Sequence, residues 1–169
     1  MKSMESSLRS RITATMHQRT ERDVDALISE SRAWLYRLAL AIVASSDAAE
    51  DAVQETLLRA SKSRGKLRDV DDPKAWLRQV LVRRAITQLQ SRKHVPLLEA
   101  EEVGSDQAEV VAVRATLNRL QPVERAMLAL WHFEGLSYEE MARMLDIPVG
   151  TVGSRLSAAR EAFRKEWAK

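Results

Sequence analysis

Cysteine is absent from the 169 residues, which excludes disulfides, thiolate metal sites and thiol redox sensing. Five glycines, four prolines and 5% aromatics supply little of the turn chemistry that punctuates β-sandwiches and barrels, and no run alternates β-branched with polar residues. The abundant alanine, leucine, arginine and glutamate favour helices, so the expected fold is all-α. The longest apolar run, residues 38–44, is far too short to span a bilayer. With no signal-peptide core in the polar N-terminus, a soluble cytoplasmic protein without membrane contact of its own is expected. His17, His94 and His132 stand apart without partners, and neither a phosphate-cradling glycine loop nor a metal-ligand cluster is present. These absences argue against an enzyme, a cofactor or a metal.

Hydrophobic residues make up 45% of the chain, enough for one core or two small ones. A net charge of +3 permits nucleic-acid binding without demanding it. Distribution says more than the sum. Arg78, Arg83, Arg84, Arg92 and Lys93 crowd one segment and Arg155, Arg160, Arg164 and Lys165 another, while Glu99, Glu101, Glu102, Asp106 and Glu109 make the stretch between them acidic.

Residues 135–160, GLSYEEMARMLDIPVGTVGSRLSAAR, encode two short helices joined by a tight turn. Ser137 with Glu140 three residues on is a capping box, and Tyr138, Met141, Ala142 and Leu145 recur at helical spacing. Asp146, Ile147 and Pro148 stop this helix. In the next one Val152, Leu156, Ala159 and Phe163 fall on one face. Ser154, Ser157, Ala158, Glu161 and Lys165 project from the other, flanked by Gly153, Arg155 and Arg160. Small polar residues beside arginines suit a major groove, where base edges offer donors and acceptors and phosphates line both rims. The pattern is a helix-turn-helix, although two amphipathic helices in a bundle share it.

Residues 1–22 are polar and unpatterned and read as a disordered tail. An N-terminal domain of residues 23–94 holds three helices: residues 24–44, a second capped by Ser46 or Asp47 and ending near Gly65, and a third from Pro73 to Lys93 with Asp72 as N-cap. A charged loop, residues 66–72, precedes the third. Residues 95–106, with Pro96, Gly104 and the acidic run, form a flexible linker to a C-terminal domain of residues 107–169. That domain begins with helices over residues 107–120 and 122–133.

On the second helix Glu50, Asp51, Gln54 and Glu55 cluster outside while Val53 and Leu57 turn inward, a face suited to a basic or amide-rich protein partner. On the third helix Leu77, Leu81, Ala85 and Leu89 step into the core, with Gln79, Arg83, Thr87 and Gln90 opposite. Arg83, Arg84, Gln88, Arg92 and Lys93 could line the phosphates of an unpaired strand. Trp76 could stack a base or anchor the core.

With both domains in view the chain resembles the extracytoplasmic-function (ECF) sigma factors of the sigma-70 family. SDAAEDAVQETLLRA (residues 46–60) resembles the segment that grips the clamp helices of the polymerase β′ subunit. The resemblance implies core-polymerase contacts at Asp47, Glu50, Asp51, Gln54, Glu55 and Leu58. PKAWLRQVLVRRAITQLQSRK (residues 73–93) resembles the segment that opens and reads the minus-ten element, and the preceding loop would receive a flipped base. This implies DNA contacts from Arg68, Asp71, Trp76, Arg83, Arg84, Thr87, Gln88, Arg92 and Lys93. LQPVERAMLALWHFEGLSYEEMARMLDIPVGTVGSRL (residues 120–156) resembles the minus-thirty-five reader, implying DNA contacts from Thr151, Gly153, Ser154, Arg155, Ser157, Ala158 and Arg160. The implied partners are core RNA polymerase, through those clamp helices and the β flap, promoter DNA, and an anti-sigma protein wedged between the domains.

Arg83 and Thr87 stand where the family usually has Asn and Asp, and Gly153 and Ala158 replace frequent cations. These departures imply an unusual minus-ten preference and a weak or atypical minus-thirty-five contact. Two other functions fit the same residues: a sigma-like mimic that sequesters an anti-sigma protein, or a dimeric helix-turn-helix repressor.

Overall fold

A computed structural model of the chain describes residues 21–91 and 108–169. The expected tail and linker, and with them Arg92 and Lys93, lie outside the described residues. Those described form eight helices without a strand.

Helix α1 (Glu21–Val43) buries Val24, Leu35, Leu38, Ala39, Ile42 and Val43, none more than 2% exposed. Its last turn closes on Ala44, whose amide still donates to the Leu40 carbonyl at 2.9 Å from a left-handed φ of 52°. Extended Ser45 then caps α2 (Ser46–Lys62) by accepting from the Ala48 amide. The cap therefore falls one residue before the expected Ser46 and two before Asp47. Helix α2 turns alanines 48, 49, 52 and 60 inward with Val53 and Thr56. Small side chains let its backbone lie close to α1. The charged loop expected over residues 66–72 is mostly a short helix, α3 (Arg64–Asp69), because Leu67 is drawn fully into the core and takes the backbone around it into a turn. Only residues 70–72 remain between helices. Asp72 then caps α4 (Pro73–Ser91), its Oδ1 accepting from the Ala75 amide at 2.9 Å.

In the second described stretch α5 (Ala108–Asn118) precedes α6 (Pro122–His132), α7 (Tyr138–Leu145) and α8 (Val149–Trp167). Every residue of α6 from Arg125 to Leu130 is buried. Arg125 tolerates this because its Nη1 donates to Asn118 Oδ1 at 2.9 Å, tying the end of α5 to α6. Desolvation of the guanidinium holds its pKa below the ordinary value. Gly135, at φ 61°, makes the left-handed turn out of α6 that a β-carbon would strain. The capping box opens α7: the Ser137 amide donates to Glu140 Oε2 at 2.8 Å, and the Glu140 amide to Ser137 Oγ at 3.2 Å. Asp146, left-handed at φ 55°, ends α7, and the Ile147 amide returns to the Ala142 carbonyl at 3.1 Å.

Helix α1 packs on α2 and α4, and α8 packs on α5, α6 and α7. The two groups also meet, α1 and α4 against α6 and α4 against α7, so one continuous apolar cluster runs through both.

Removing the α7 cap by Ser137→Ala should cost about 1 kcal/mol, read as a lower urea midpoint at unchanged slope. The Ser137 N–H, and then its hydroxyl, hold the Glu140 carboxyl below the usual glutamate range. A depressed acid stabilises the fold above its unfolded pKa and loses that contribution as pH falls through the folded one. The stability gap between wild type and Glu140→Ala should therefore persist through mild acid and close only below the usual glutamate range. Closure already at neutral pH would show the carboxylate is not part of the cap.

Candidate nucleic-acid interface

The second helix of the helix-turn-helix motif begins from its turn. Thr151 Oγ1 donates to the Pro148 carbonyl at 2.7 Å and Ser154 Oγ to the Thr151 carbonyl at 3.0 Å, so both hydroxyls hold the first turn of α8 while their lone pairs stay outward. Val152, Leu156 and Ala159 are fully buried, which leaves Ser154, Arg155, Ser157 and Ala158 exposed. Arg160 is half-buried, its guanidinium 5.5 Å from the centre of the Trp131 ring. Trp131 also packs against Tyr138, ring centres 5.3 Å apart. A β-carbon placed on Gly153 would lie 3.4 Å from Tyr138 Cε2, close to ordinary contact. The missing side chain there is not forced by crowding.

On α4 the aliphatic seam of Leu77, Leu81, Val82, Ala85 and Leu89 is buried, and Gln88 joins it at 6% exposure. Gln88 lies seven residues beyond Leu81 and three beyond Ala85, so it shares their side of the helix. It does not reach the outer surface with Arg83 and Thr87, and its Oε1 finds no partner among the described residues. Trp76 is half-buried against the core. Arg84 is engaged by Glu55 at 2.6 Å, and Arg68 by Asp69 at 3.2 Å. Arg83, Thr87 and Asp71 are exposed, with Thr87 Oγ1 bonded back to the Arg83 carbonyl.

The expected partner-binding face of α2 is assembled as one surface. Asp47, Glu50, Asp51, Gln54 and Glu55 are all exposed, and Leu58, 55% exposed, adds an apolar point at its end. Carboxylates leading up to an exposed leucine can meet a partner that offers cations beside an apolar pocket.

One cluster has no counterpart in the sequence reading. Arg78, grouped there with the basic segment, points across to the second helical group, where its Nε meets Glu134 Oε2 at 2.6 Å with both side chains 16% exposed. Its guanidinium also stands 5.9 Å from the centre of the Trp34 ring, and neighbouring Gln79 donates to the Arg143 carbonyl at 3.3 Å. The position of Arg78 beside Leu77 and one turn before Val82 marks it as flanking the inner stripe. Nothing local singles out Glu134.

Residues 27–95 match the family described as Sigma-70 region 2, and residues 110–163 match Sigma-70, region 4. The chain is similar to the ECF RNA polymerase sigma factor SigM of Mycobacterium tuberculosis, 32% identical over 142 residues, covering 80% of this chain and 72% of the relative. The ECF RNA polymerase sigma factor SigL of the same species is 33% identical over 151 residues, covering 82% and 85%. RNA polymerase sigma-H factor of Pseudomonas aeruginosa is 29% identical over 168 residues, covering 86% of each. Among solved structures, the sigma factor RpoE of Bartonella quintana, in complex with the anti-sigma factor NepR, shares the fold. The TM-score is 0.68 and the identity 23%, covering 86% of this chain and 96% of that one.

Gly153→Lys should tighten binding to duplex DNA carrying the recognised element and steepen the fall of log K with log salt by about 0.9, one added phosphate contact. An unchanged slope in filter binding would place residue 153 away from the backbone.

Proposed function

The chain belongs to the ECF RNA polymerase sigma factors, and on that premise we propose that it is a dissociable promoter-specificity subunit. It binds core RNA polymerase, carries it to promoters and helps open the duplex. Its work is binding, not catalysis, done in the cytoplasm where polymerase and promoter are. The single observation that supports this most is the pairing, in one chain, of an exposed carboxylate face on α2 with an exposed serine and arginine face on α8.

Residues 23–94 form the polymerase-binding and minus-ten domain, residues 107–169 the minus-thirty-five domain. On α2, Asp47, Glu50, Asp51, Gln54, Glu55 and Leu58 dock on the β′ clamp helices. Thr151, Ser154, Arg155, Ser157 and Ala158 read the minus-thirty-five element. In the minus-ten region Arg83 and Thr87 are the readers on α4, Asp71 and Arg68 the readers before it. Burial takes Gln88 out of that set, and Arg84 acts there only once Glu55 releases it. An anti-sigma protein that covers the α2 or α8 face would hold the factor inactive.

Reversing charge with Glu50→Lys and Asp51→Lys should weaken binding to core polymerase at least about tenfold, or 1.4 kcal/mol, with an unchanged melting temperature. Both side chains are exposed, so the fold should not register the change. Unaltered affinity together with unaltered promoter-dependent transcription would sink this assignment of the α2 face.

A further inference from the structure

We propose that Arg78 and Glu134 form a latch that closes the two helical groups on each other, and that this closed form must open before a promoter can be read. The inference deepens the sigma-factor reading above, and rests on it for the word promoter.

Three observations carry it. The Arg78 to Glu134 pair is shielded, at 16% exposure for each side chain, whereas Arg64 and Asp25 are more than half exposed, as are Lys165 and Glu161. Shielded pairs lose little to salt, and an isolated partner left behind is costly. The latch is also supported by the Trp34 ring of the same group, 5.9 Å from the guanidinium it helps hold, and reinforced across the groups by the Gln79 bond to the Arg143 carbonyl.

The third observation is what closure does to the readers. Arg83, Thr87 and Gln90 of α4 line one cleft of about 350 Å³ together with Leu145, Asp146 and Arg155 from the other group. Elements named for positions minus ten and minus thirty-five lie about 25 base pairs apart, or about 85 Å along B-form DNA at 3.4 Å per step. Side chains that share one small cleft cannot reach two sites at that separation. Closure therefore keeps Arg83 and Thr87 beside Arg155 in one cleft, too close together for the two faces to serve both elements at once. The α2 face is exposed in the same closed form, so polymerase can engage first and the groups separate afterwards.

The test uses the full chain. Arg78→Glu and Glu134→Arg each set like charges face to face, and the double exchange restores an opposite pair. Small-angle scattering should show a larger radius of gyration for each single variant than for wild type, with the double variant compact again. Circular dichroism melting confirms that all are folded. If closure leaves about a tenth of the protein open, each single variant should also raise initiation at limiting polymerase by up to about tenfold. Since the chain has no cysteine, Gln79→Cys with Arg143→Cys, joined by a short bis-maleimide, would hold the groups shut. The joined protein should still bind core polymerase yet fail to initiate, while the same variant left unjoined initiates normally. Equal radii for wild type and both single variants, or full initiation by the joined protein, would overturn the latch. If wild type gives no promoter-dependent transcript, the sigma-factor reading fails instead, and the scattering comparison still decides whether the latch closes.

Discussion

Burial of α1 is the constraint on which the rest of the molecule depends. Leu35, Leu38, Ala39, Ile42 and Val43 sit at 2% exposure or less, and the apolar C-terminal half of this helix must be enclosed by neighbours on more than one side. Helices α2 and α4 cover it from one group and α6 from the other. A fully buried leucine or isoleucine stabilises by about 1.5–3 kcal/mol, while an exposed ion pair gives about 0–1 kcal/mol. Apolar packing therefore decides that the groups associate. Ion pairs such as Arg78 with Glu134 decide in which orientation.

The same division explains which features were legible in the sequence. Helical periodicity and capping chemistry are local, and Asp72 with Pro73, Ser137 with Glu140 and the arrest at Asp146 all stand where the residues place them. The stripes of α4 and α8 were legible for the same reason. Failures arose where tertiary burial overrode local polarity. Charged residues around Leu67 look like a loop, but one buried leucine is enough to coil them into α3. Gln88 looks like an outward polar residue until its spacing from Leu81 and Ala85 is weighed, and Arg78 looks like one more member of a basic segment. Its partner Glu134 lies 56 residues away, and no local signal links two such positions.

Overall charge is a poor guide to the surface that DNA would meet. Arg64, Arg68, Arg78 and Arg84 are each committed to a carboxylate, Arg125 to Asn118, and Arg160 leans on Trp131. Arg83 and Arg155 are exposed on the helix faces that the sequence marks for recognition. With Gly153 and Ala158 contributing no cation, DNA laid along α8 would gain less of its affinity there from phosphate contacts and more from base and shape contacts.

The pair between Glu55 and Arg84 connects these observations. Glu55 belongs to the acidic face of α2, and Arg84 to the helix whose outer side carries Arg83 and Thr87. A cation brought to the α2 face by a partner competes for the Glu55 carboxylate. Arg84, itself only partly exposed, would then be left without a counter-charge at the edge of the outer face of α4. Both side chains are too exposed for the pair to add much to stability, so the exchange costs the fold little. A weak, partly solvated ion pair between the two faces is thus better suited than a buried one to make occupation of the first favour an anion at the second.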